Sequence, residues 1–123
     1  MTGATCELCG TIGYCEKHHI IFRSQATYMR NVKINLAFLC QNHHRGSTEG
    51  VHHNKGMDLK LKKQLQNKYY AMFSDKFYNK EEIQKALECT DFDTTLIVKK
   101  LTCYRFGYEK EQLIRRLLGG RMY

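Results

Sequence analysis

The chain has 123 residues, 42% of them apolar and 26% charged, and a formal net charge of +8. That length suits one domain, or one small domain with an appendage. No apolar run approaches the ~18 residues of a bilayer span, so no membrane-spanning helix is expected, and the excess positive charge favours an anionic partner such as nucleic acid.

The first ten residues, MTGATCELCG, lack the charged start and apolar core of an export signal, so a cytoplasmic protein is expected. Six cysteines in that setting read as metal ligands or free thiols rather than disulfides. Residues 6–10 should form a tight turn carrying Cys6 and Cys9, followed by a strand over about 16–22 with His18 and His19. A loop with Arg23 and Arg30 leads to a second extended segment at 34–40, and a short helix should begin near Asn42 or His43.

Met57, Leu61, Leu65, Tyr69 and Met72 with Phe73 recur at helical spacing, so 57–73 is predicted as a helix, with Asp58 suited to its positive first turn. Asn79 and Glu82 make a capping-box signature for a helix to about Cys89. Asp93 could cap another helix running to about Cys103. The stretch YEKEQLIRRLLGG has Glu early, Arg late and Gly119 just past the end, which is helical punctuation. The apolar stripes on these helices are read as core.

All six histidines and four of the six cysteines precede residue 54. This divides the chain into a metal-rich module, residues 1–56, and a helical extension, residues 57–123. With no proline and no low-complexity linker, the two are expected to pack together.

Cys6 and Cys9 are spaced Cys-x-x-Cys, and Cys40 with His43 is spaced Cys-x-x-His. Two intervening residues let both side chains of a tight turn converge on one ion, and two such knuckles supply four ligands for a closed tetrahedral zinc site. A module this short of apolar bulk gains from an ion that binds only the folded chain. The remaining histidines, His18, His19, His44, His52 and His53, are too many for a core and point to a second metal site with catalytic chemistry.

The blocks EKHHIIF, NLAFLC, HHRG and GVHHNKGMDLKLK, in this order and with these knuckles, resemble the HNH endonuclease family, particularly its small phage and bacterial members. The resemblance covers about residues 6–65. It implies an α+β fold: a small ββα-metal module with a structural zinc, followed by a helical C-terminal extension. It implies His18 as a ligand of the catalytic cation, His19 as general base, and Asn35 as the central Asn that fixes the loop and the base histidine. His44 and His52 would be the other ligands, His43 a zinc ligand, and His53 a surface residue or an outer neighbour of the cation.

An all-imidazole set suits zinc, nickel, cobalt or manganese better than magnesium, which members with Asp or Asn ligands use. A neutral imidazole can accept a water's proton at physiological pH, and Arg23 and Arg45 are candidate phosphate contacts. The expected reaction is hydrolysis of a DNA phosphodiester to 5′-phosphate and 3′-hydroxyl. Adjacent strand residues face opposite ways, so His18 and His19 can serve one cavity only if the strand ends there. The alternative is a catalytically silent HNH scaffold, phage-encoded, that binds DNA or a host protein such as a defence nuclease. The C-terminal helices could contact DNA through Lys99, Lys100, Arg115 and Arg116, or pair two chains as a homodimer.

Overall fold

The structure, a computed structural model, describes residues 4–46, 50–52 and 54–123; His53 lies outside them. It is a mixed α+β fold of small sheets and helices. Strands β1 (Ala4–Thr5) and β2 (Ile12–Gly13) pair antiparallel and bracket the cysteine turn. Cys6 N–H donates to Thr11 O and Gly10 N–H to Cys6 O, which closes that turn.

Strands β3 (Glu16–His19) and β4 (Leu36–Leu39) form an antiparallel pair in which Glu16 faces Leu39 and His19 faces Leu36. The strand predicted for 16–22 therefore stops at His19, for a visible reason. Beyond it the side chain of Asn35 acts as a substitute peptide group: Oδ1 accepts from Ile21 N–H at 2.9 Å, and Nδ2 donates to Ile21 O and Met29 O. These bonds satisfy buried backbone groups that a sheet partner would otherwise have to satisfy, and they turn the chain out of the ladder. The second extended segment also starts later than expected, because Lys33–Asn35 forms a 3-10 turn before β4.

A π-helical turn, Asn42–Gly46, follows β4 where a short helix was expected. Helix α1 (Lys55–Met72) is capped by Asn54, whose side chain accepts from Met57 N–H. Asp58 lies in the first turn, as expected, and also pairs with Lys62 one turn on, at 2.7 Å. Leu61, Leu65 and Tyr69 form the buried face of α1.

A short strand β5 (Phe77–Tyr78) precedes α2 (Lys80–Leu87), which carries the complete Asn79–Glu82 capping box. Helix α3 (Asp91–Val98) is capped by Thr90 rather than Asp93, and it ends before the expected Cys103. That residue belongs to a hairpin, β6 (Cys103–Tyr104) and β7 (Gly107–Glu109), which the sequence reading left out. The three strands pair antiparallel in the order β5-β7-β6. Gly107 is required here: its φ is +113°, and a Cβ would lie 2.5 Å from Tyr78 O. Helix α4 (Lys110–Leu117) ends with Gly119 in a left-handed conformation, φ +77°, as the sequence suggests.

One apolar core takes Cys15, Ile21, Met29 and Leu39 from the first half and Leu65, Tyr69, Ile83, Leu113 and Leu117 from the second. Each full burial of such an aliphatic side chain contributes roughly 2 kcal/mol. The stripe Leu113, Ile114, Leu117 and Leu118 is wholly inside it. The loop after β3 is tied down as well, since Tyr28 Oη donates to Arg116 O and the Arg116 guanidinium lies 3.5 Å above the Tyr28 ring. Among the described residues, no helix is long and apolar enough to cross a membrane.

Candidate metal centres and cleft

The two knuckles meet. Ligand atoms of Cys6, Cys9, Cys40 and His43 all lie within 4.8 Å of one another, a cluster that could hold a metal ion. Cys9 Sγ is 3.8 Å from Cys40 Sγ, and His43 Nδ1 is 3.3 Å from Cys40 Sγ and 4.0 Å from Cys6 Sγ. For a tetrahedral zinc with bonds of about 2.3 Å to sulfur and about 2.0 Å to nitrogen, the corresponding edges are about 3.8 and 3.5 Å, so the donors fit. The turn supplies one thiolate readily: Thr11, whose hydroxyl lies 3.0 Å from Cys9 Sγ and whose backbone also bonds it, lowers that thiol to about 6.

The second group is made of imidazoles. Nitrogens of His18, His44 and His52 lie within the same 4.8 Å limit of one another. His18 comes from β3, with 2% of its surface exposed, and His44 from the π-helical turn. Burial pushes His18 down to about 3, with the His44 and His52 charges adding to it, so the ring is neutral and able to donate a lone pair.

His52 is brought in by backbone contacts. Val51 N–H donates to His43 O and His52 N–H to His44 O. Gly50 permits this approach, since a Cβ there would lie 2.8 Å from His44 O.

Hydrogen bonding fixes the tautomers. Glu16 Oε1 lies 3.0 Å from His44 Nδ1; a carboxylate only accepts, so Nδ1 carries the proton and Nε2 is left as a donor to a cation. That Nε2 faces His52 Nε2 at 2.9 Å. His18 Nε2 is buried with no hydrogen-bond partner, which costs about 1–3 kcal/mol unless something satisfies it. Two opposed ring nitrogens and one orphaned nitrogen suit a divalent ion, and three protein ligands leave coordination positions open.

His19 stands apart from the three. It lines the same cleft, about 550 Å3 in volume, with Arg23 and Arg45 at its margin. Its Nε2 lies 3.0 Å from Arg30 O. A carbonyl oxygen only accepts, so Nε2 carries a proton, and in the neutral ring Nδ1 is the nitrogen with the lone pair. A neighbouring groove shares Lys17, His19 and Arg23 with the cleft and adds Arg30 to its lining. Asn35 is wholly buried, and its three side-chain bonds go to Ile21 and Met29; none goes to His19, so the expected hydrogen bond to that histidine is not made.

Three contributors are absent from the sequence reading. Glu16 could have been found by alternation, since it lies two residues before His18 on the same strand face. Phe22, stacked on His52 at 6.1 Å and edge-on to His18 at 5.9 Å, walls the cleft and carries Lys62 Nζ 4.4 Å over its ring. Gly50 had no local signal. Compared with known protein families, curated proteins and solved structures, the chain matches none of them.

Proposed function

We propose that the chain is a metal-dependent DNA endonuclease of the HNH class, with a structural zinc on Cys6, Cys9, Cys40 and His43 and one catalytic divalent cation on His18, His44 and His52. The observation that carries this reading is the separation of roles in one cleft. Three imidazoles converge on a point, while a fourth, His19, faces the same space but is held by Arg30 O.

In this reading His19 Nδ1 accepts the proton of the attacking water. Its bond to Arg30 O holds the ring in the tautomer that leaves that atom basic. Arg23 and Arg45 hold the phosphate, and Lys17 and Arg30 add to the cationic lining beside them. Glu16 orients His44, and Asn35 acts at one remove by bracing the loop that follows His19. When bound, the cation supplies Lewis-acid neutralisation of charge at the phosphoryl and leaving oxygens. The products are a 5′-phosphate and a 3′-hydroxyl.

The test is supercoiled-plasmid cleavage by wild type and His19→Ala across magnesium, manganese, nickel and zinc. Wild type should nick with at least one ion, and the variant should lose about a hundredfold or more in rate while binding that ion as before. Equal nicking by the variant removes His19 as base. No cleavage by wild type with any ion favours a scaffold that only binds.

A further inference from the structure

The part of the chain that follows α1, residues 73–123, contributes nothing to the cleft lining, yet it has a surface of its own. Helices α2 and α3 are joined by three residues, 88–90, with Glu88 left-handed at φ 52°. Two helices in contact across so short a turn have the connectivity of a helix-turn-helix, whose second helix can lie in a DNA major groove. The β6–β7 hairpin follows α3 after four residues, 99–102, and is anchored to β5 through β7.

Charge is uneven along this surface. Residues 99–105 hold three Lys/Arg and no acid, while Glu81 and Glu82 of α2 and Glu88 after it are exposed. Lys99, Lys100 and Arg105 are all exposed. The acids at the start of α3 are tied off, because Asp93 is buried and Asp91 is paired with Lys80 at 2.9 Å. The hairpin tip carries an aromatic cluster that no core needs: Phe106 is 70% exposed, and Phe77 meets both Tyr104 and Phe106 at about 6 Å. Arg105 lies over Phe106 and Lys76 over Phe77. Phe92, also 70% exposed, stands on the outward face of α3. Cations flanking exposed rings match a phosphate backbone with sugar and base faces between its charges.

We propose that α3 and the β6–β7 hairpin form a second nucleic-acid contact that takes duplex DNA, through Lys99, Lys100 and Arg105 on phosphates and Phe106 against the groove wall. This site does not depend on the chemistry of the histidine cleft, and it stands whether or not the chain cuts what it binds.

The test uses the full chain carrying His19→Ala, so that binding is read without cleavage. Fluorescence anisotropy with a duplex of about 30 base pairs is measured over a salt series, where each lost phosphate contact lowers the log–log slope by about 0.9. Lys99→Glu with Lys100→Glu should weaken binding at least tenfold and flatten that slope by about 2. Arg105→Glu should weaken it severalfold, and Phe106→Ala should do so without changing the slope. The same charge change on the exposed face of α1, Lys60→Glu with Lys63→Glu, should cost clearly less. All these side chains are exposed, and circular dichroism with zinc content checks each fold. Affinity within twofold of the parent for the Lys99/Lys100 pair overturns the proposal. So does an equal loss from the α1 pair, or tighter binding of a single strand than of the duplex.

Discussion

Glu16 Oε1 and His44 Nδ1 lie 3.0 Å apart, joining the first residue of β3 to the turn that follows β4. The carboxylate decides which nitrogen of His44 keeps its proton, and so which one turns toward His18 and His52. Removing its charge while keeping its shape tests that dependence. Glu16→Gln should lower cation affinity at the three-histidine site by about tenfold or more, read by titration with nickel, with the metal content of the sulfur cluster unchanged. Unaltered nickel affinity would show that His44 is oriented by packing alone.

Cys40→Ser replaces a soft ligand in the other cluster. Because an ion there binds only the folded arrangement, the variant should melt at a lower temperature than wild type and lose one equivalent of zinc. Wild type treated with a strong chelator should converge on the same melting curve. A melt indifferent to demonstrated loss of metal would mean that the sulfur cluster is not structural.

Asn35→Ala would leave Ile21 N–H and Ile21 O without their partners in a buried site, while Met29 O keeps its bond from Val32 N–H. Each orphaned group costs about 1–3 kcal/mol, partly relieved by rearrangement, so a loss of about 3 kcal/mol is expected in urea unfolding. Activity of the surviving folded fraction should fall too, since the loop from Ile20 to Met29 carries Phe22 and Arg23 into the cleft. A stable and fully active variant would reduce Asn35 to a replaceable core residue.

Gly50→Ala places a methyl group 2.8 Å from His44 O. The neighbouring backbone must then yield, and with it the bond from His52 N–H to His44 O. The expected result is weakened nickel binding and cleavage with the sulfur cluster intact. Wild-type behaviour would mean that segment 50–52 can shift without moving His52 from the cation.

Spacing made the metal donors readable. Two residues between Cys6 and Cys9, and between Cys40 and His43, reflect a turn geometry that hardly varies. The Asn79–Glu82 cap was equally plain, because its reciprocal bonds are local. What escaped notice depends on distant chain. Strands β5, β6 and β7 have two or three residues each and no alternation long enough to register, and they exist because they pair with one another. Asp93 resembled a cap until Thr90, three residues earlier, took that position. Asn35 could be picked out as important, but its bonds to Ile21 and Met29 depend on a loop whose path no periodicity encodes.

Residues 40–44 serve both clusters at once: Cys40 and His43 face the sulfurs, and His44, the very next residue, faces the imidazoles. Such a segment has no spare letter in its spelling. A single codon gained or lost between Cys40 and His44 would put both sets of donors out of phase together. Natural variants of this protein should therefore differ there by replacement, and vary in length elsewhere.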